Sequence, residues 1–184
     1  IQEGAPRNLV DELLEAQHDI ILTQFPVGSQ ELVSRRLFRE PLRVAVALGS
    51  DLAERGTLRL ADLEGRQILT LGPRFTLHDQ ILELCQRTGA QILHTYEGTS
   101  LDALRQMASM NMGLALLPAL YLARNVSDLD PDLRLLDFED TQMFRSLGLA
   151  WRVASGRQTA FRVLEEIADE VIASEFRGLI PRER

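Results

Sequence analysis

The sequence predicts an α/β fold with a largely parallel sheet. Short apolar strands alternate with amphipathic helices along the 184 residues, at the spacing of βαβ units. The run 99–118, TSLDALRQMASMNMGLALLP, reads as a capped helix, a left-handed exit and a buried strand. A third signal is the long apolar stripe over 159–176, through Phe161, Leu164, Ile167, Ala168, Val171 and Ile172.

In chain order, 7–16 reads as a helix with Leu9, Val10, Leu13 and Leu14 on one face. A strand follows at 19–25 (DIILTQF), broken by Pro26 and Gly28. Residues 32–37 and 42–48 are expected to be two strands, separated at Glu40-Pro41. The polar stretch 50–63 connects, with a short helical turn at its end. A strand at 67–71 ends in Gly72-Pro73, and a helix over 77–88 is closed by Gly89 as C-cap. A short strand is expected at 94–97. In the 99–118 run, Thr99 or Ser100 is the N-cap, with Asp102 favourable in the first turn. Leu101, Leu104, Met107 and Ala108 share a face, and Asn111 and Gly113 suit the left-handed exit. Leu114 to Leu117 forms a continuous apolar strand of the doubly covered kind. An irregular stretch follows Pro118, then strands at 133–136 and 145–153, the latter alternating enough to be partly exposed. The helix over 159–176 completes the chain.

A hydrophobic content of 45% with 26% charged residues describes an ordinary core and a charged surface. No apolar run approaches the length of a membrane span, and no leader is visible ahead of Ile1. The net charge of −7 argues against direct phosphate contact, because nucleic-acid-binding domains carry the opposite balance. One cysteine, Cys85, excludes an intrachain disulfide and any multi-cysteine metal site, and fits a reducing, cytoplasmic setting. The three histidines, His18, His78 and His94, stand apart with no metal spacing, so packing or surface roles are expected. Neither GxSxG nor a P-loop occurs, so no enzyme is expected, and no cofactor or metal. Trp151 and Phe161 read as core, and so do Met107, Met110 and Met112, with a plastic surface as the alternative for the methionines.

Five segments carry a resemblance: LVDELLEAQHDIIL (9–22), EPLRVAVALGSDLA (40–53), LADLEGRQILTL (60–71), LHDQILELCQRTGA (77–90) and TSLDALRQM…GLALLP (99–118), with RSLGLAWR (145–152) beyond them. Together they resemble the effector-binding domain of the LysR-type transcriptional regulators, and within that family the OxyR-like, peroxide-responsive branch. The resemblance implies two Rossmann-like lobes joined by two crossover strands, periplasmic-binding-protein-like (type II), with the effector in a cleft between them. It places one lobe at 1–42 plus 147–184, short of its first strand and helix, and the other at 43–146. It further implies an N-terminal winged helix-turn-helix outside this chain, through which alone DNA is held. A homodimer or homotetramer is implied as well, with helices 7–16 and 77–88 as contacts, and no membrane partner.

The same resemblance locates the chemistry. OxyR-like sensors pair a reactive cysteine with a second one nine residues on. Here Cys85 falls at the second position, Thr76 at the first, and Phe75 where the family has a histidine; Asp79 keeps an acidic position. A threonine forms neither thiolate nor sulfenic acid, so two-cysteine peroxide sensing cannot run within this chain. For Cys85 alone, burial in its helix is the favoured expectation over single-cysteine peroxide sensing. Thr76, Thr99 and Ser100 at two helix starts, with Arg74 for charge, make a small-anion effector site; helix capping is the alternative for these hydroxyls. Pro6 falls where the family often has a threonine that donates to the ligand. Other classes left open are a transporter's solute-binding protein and a single-cysteine peroxidase.

Overall fold

The computed structural model describes residues 1–93, 99–125, 131–139 and 141–181. The strand expected at 94–97, and His94 with it, lie outside the described residues. The chain divides into two compact units, one of Ile1–Glu40 with Arg145–Arg184, the other of Pro41–Phe144.

The first unit opens with α1 (Pro6–Leu14), its proline at the first turn, where a missing N–H costs nothing. Leu13 is wholly buried and, with Leu9, Val10 and Leu14, packs on Ile21, Leu32 and Ala150. Strand β1 (Ile20–Gln24) runs antiparallel to β8 (Phe144–Arg152), with Leu22 opposite Leu149. Strand β8 lies between β1 and β2 (Leu32–Ala47). The Arg152 guanidinium donates to the carbonyls of Leu13 and His18, which fixes the end of α1 and the turn after it against β8. On the other face of this sheet, α5 (Gln158–Glu175) lays Phe161 against Trp151, ring centroids 5.3 Å apart, and the indole donates to Gln158 at 2.9 Å. Both rings are core, as expected.

The stripe of α5 behaves otherwise. Phe161 and Ile172 are buried, but Leu164, Ile167 and Val171 are all more than 40% exposed, as is Val163. Leu22, on the same sheet face as Trp151 by the two-residue period, is 55% exposed. Among the described residues β1 pairs only with β8, so its outer edge is open.

In the second unit, β2 pairs antiparallel with both β6 (Leu114–Pro118) and β7 (Leu133–Phe138). Strand β4 (Gln67–Leu69) runs parallel to β6 and to β5 (Gln91–Ile92), and β3 (Thr57–Leu58) runs parallel to β7. The sheet is therefore mixed rather than largely parallel, because β2 and β8, which carry the chain between units, both take antiparallel partners. A 3₁₀ turn occupies Leu60–Leu63, where a helical turn is expected. Helices α2 (Thr76–Thr88), α3 (Leu101–Ser109) and α4 (Ala119–Asn125) complete the unit. All five residues of β6 are buried, and Ile68, Ile81, Leu84, Leu104 and Leu116 form the centre of the core.

Three local expectations need correction. Residues 32–47 are one strand, not two, and Pro41 lies inside it. The proline sits where the ladder changes partners: the Arg39 N–H donates to Pro181 O at 2.9 Å and the Leu42 N–H to Met143 O at 2.8 Å. The stretch after Pro118 is α4, since ALYLA is made of good helix formers behind a proline. The β8 strand is buried over its last half, through Ala150 and Trp151, rather than alternating. In the 99–118 run, Asn111 takes the left-handed exit at φ 59°, and Gly113 does not. A Cβ at Gly113 would lie 3.0 Å from the Gln67 carbonyl oxygen, so any side chain there would press on the β4 backbone.

Candidate functional site

Helix α2 starts at Thr76 and not after it. The N-cap is Phe75, whose side chain makes no capping bond, so the Thr76 hydroxyl belongs to the first helical residue rather than to a cap. Phe75 is half-buried against the core of this unit, while Arg74 and Asp79 are exposed beside it. The start is held in place by its neighbours. The Phe75 N–H donates to Gly72 O at 3.1 Å, and His78 Nδ1 lies 2.8 Å from Leu71 O, which ties the first turn to the exit of the preceding strand. Gly89, at φ 75°, closes the other end of α2, with its N–H on Cys85 O.

The four residues Arg74, Phe75, Thr76 and Asp79 thus share the positive end of a 13-residue helix. That end follows β4, and β4 is parallel to its neighbours β5 and β6, so it opens at the carboxyl edge of a parallel triplet. The Thr70 hydroxyl, one residue past β4, is buried with no hydrogen-bond partner among the described residues. A buried hydroxyl of this kind has capacity to hold a ligand group. No feature of the sequence marks Thr70, which follows an apolar strand.

The start of α3 is built differently. The Ser100 Oγ accepts from the Asp102 N–H at 3.2 Å, which makes Ser100 the cap, with Thr99 exposed just before it. The Asp102 carboxylate stands in the first turn and accepts the Tyr121 hydroxyl at 2.6 Å. Burial and this carboxylate push the Tyr121 phenol up to about 12 from its ordinary 10.0. Because the folded chain holds that proton more tightly than the unfolded one, stability is full below pH 10 and falls as pH rises from there towards 12. A spectrophotometric titration is expected to show one tyrosine ionising only near pH 12, a step that Tyr121→Phe removes.

Pro6 is the first residue of α1, in the other unit. Cys85 is buried in α2, as expected, and burial pushes its thiol up, opposite to what a reactive cysteine requires. His18 lies 2.7 Å from Glu12, and among the described residues no cluster of His, Cys, Asp and Glu has metal-ligating geometry. No helix among the described residues is long and apolar enough to cross a membrane.

Sequence reasoning also missed an ion pair. Glu40 is wholly buried at the end of the first segment of its unit, and Arg145 Nε donates to it at 2.7 Å from the start of the second. The two residues lie far apart in sequence, so only the fold brings them together.

A family model for the LysR substrate binding domain matches residues 1–173. Among curated relatives, a probable hydrogen peroxide-inducible genes activator of Mycobacterium leprae is 27% identical over 95% of this chain and 56% of its own length. The transcriptional dual regulator GltC of Bacillus subtilis is 28% identical over 64% of this chain and 40% of its own. The chain therefore spans about half the length of the curated relatives it matches. Among solved structures, the oxidized form of OxyR superposes with a TM-score of 0.82 at 26% identity, covering 95% of this chain and 82% of that one.

Proposed function

Because this chain belongs to the LysR substrate-binding domain family, with the two-lobed, type II periplasmic-binding-protein fold of OxyR regulatory domains, we propose that it is the sensing part of a cytoplasmic transcription regulator. It takes a small effector, an anion by preference, and passes the change to DNA-binding domains outside this chain. The carrying observation is the amino end of α2, where the Thr76 hydroxyl stands on the first helical residue and Phe75 offers no capping oxygen. Backbone N–H groups and a hydroxyl at that end favour a carboxylate or an oxyanion, with Arg74 adding charge. The buried hydroxyl of Thr70 supports the same reading. Thr99, Ser100, Asp79 and Pro6 complete the proposed effector set.

Two-cysteine peroxide sensing has no place in this reading, since the chain holds one cysteine. Effector binding shifts a balance between arrangements only by its different affinity for each. The experiment is a thermal-shift screen of small carboxylates, sulfate and phosphate. A ligand at one hundred times its Kd is expected to stabilise by about 2.7 kcal/mol. Thr76→Val is expected to weaken binding about tenfold, the worth of one hydrogen bond to a charged group. Hits that bind Thr76→Val as tightly as the parent protein would remove α2 from the site.

Helices α1 and α2 are the proposed contacts of a homodimer or tetramer. In support, Leu82 on α2 is 41% exposed and borders an open recess lined also by Cys85, Gln86, Ala90, Gln91 and Ile92. Sedimentation equilibrium is expected to show association that Leu82→Glu weakens; a parent protein that stays monomeric at high concentration rules this interface out.

A further inference from the structure

The chain contains five sulfur atoms, four in methionine and one in cysteine, and each has a defined environment. Cys85 is 6% exposed. Met107 and Met143 are half-buried against the core of the second unit. Met110 and Met112, in contrast, are 71% and 47% exposed, against the expectation that they pack inside. The reason is local: α3 ends at Ser109, so both residues lie beyond its last buried turn. They flank Asn111 in its left-handed conformation, and the turn is fixed by N–H bonds from Met110 to Gln106 O and from Met112 to Met107 O, each 3.1 Å. The backbone is held while both thioethers stand in solvent. Leu48, 48% exposed, follows the end of β2, and Ala45 pairs antiparallel with Ala115 near the start of β6. Leu48 and the two methionines therefore sit at one end of the sheet as an apolar patch.

We propose that Met110 and Met112 form an oxidant-responsive modification site, with a two-electron oxygen donor, hydrogen peroxide or hypochlorous acid, as the reagent. A thioether lone pair attacks one peroxide oxygen, the O–O bond breaks as the S–O bond forms, and the products are methionine sulfoxide and water. Sulfur loses two electrons and the peroxide gains them. With hypochlorous acid the products are sulfoxide, chloride and a proton. A methionine sulfoxide reductase drawing on thiol reductant reverses either step. The chemistry converts the apolar patch into a polar one that carries strong acceptor oxygens, and it leaves the core untouched. It needs no thiolate, which the burial of Cys85 withholds. The site stands independently of any effector at α2.

In the test, the native chain meets limiting hydrogen peroxide in one arm and limiting hypochlorous acid in the other. Fragmentation mass spectrometry then follows oxygen uptake at each sulfur. In at least one arm, Met110 and Met112 are expected to gain oxygen about tenfold faster than Met107, Met143 or Cys85, in keeping with their exposure. A sulfoxide reductase is expected to return the mass, and the oxidised chain to elute earlier from a hydrophobic-interaction column. The double variant Met110→Leu with Met112→Leu is expected to lose the early uptake and keep the parent thermal midpoint. Equal or faster reaction at Cys85, Met107 or Met143 in both arms overturns the proposal, and so does oxidation of the pair with unchanged elution.

Discussion

Replacing Gly148 by alanine is expected to prevent the first unit from folding. Gly148 lies in β8, between β1 and β2, opposite Thr23. A Cβ built there would stand 2.0 Å from the Arg35 carbonyl oxygen and 2.8 Å from the Arg36 Cα. Both are backbone atoms, so no side chain can rotate away and the strands themselves must separate. Overpacking of side chains in a core costs about 1–3 kcal/mol. A backbone clash in a central strand belongs to the rarer class above about 4 kcal/mol. Trp151, three residues on in the same strand and the sole tryptophan, reports the result. Its fluorescence is expected to show the exposed, red-shifted emission of an unfolded environment without denaturant. A Gly148→Ala protein with the parent urea midpoint would mean that β8 and β2 lie further apart than described.

Arg145→Ala is expected to give the second largest loss. It strips a fully buried carboxylate of a charge-assisted partner, and breaking such a pair from one side costs about 3–5 kcal/mol. Arg145 is 22% exposed, so water can reach its place in part, and the lower end of that range is expected. Urea unfolding is the measurement. The double variant Glu40→Gln with Arg145→Met is expected to recover most of the loss, because it removes the buried charge along with its partner. A single Arg145→Ala change costing under about 1 kcal/mol, the range of an exposed surface pair, would show that the pair does not hold the unit together.

Periodicity and capping made much of the local structure legible. Gly89 at the end of α2, Asn111 after α3 and the apolar run of β6 were each marked by residue type alone, because their conformational demands are local. What stayed hidden depends on partners distant in sequence. Pro41 reads as a break until the ladder's change of partners is known. The Glu40 to Arg145 pair and the need for glycine at 148 arise from strands meeting across a hundred residues or more. At the proposed site the first turn of α2 was legible and its capping was not, since Thr76 reads equally well as the cap or as the first helical residue. Thr70 carried no signal, because a hydroxyl at the end of an apolar run looks the same whether or not it finds a partner.

The bare flank of the first unit has a practical consequence at the bench. A row of aliphatic groups along α5, together with Leu22 on the edge strand β1, is a nucleus for clumping. Concentrated stocks should scatter light and bind hydrophobic dyes, and a lysine at Ile167 should clear them. Crystallographers and assay designers alike would gain by blunting that flank before interpreting any self-association.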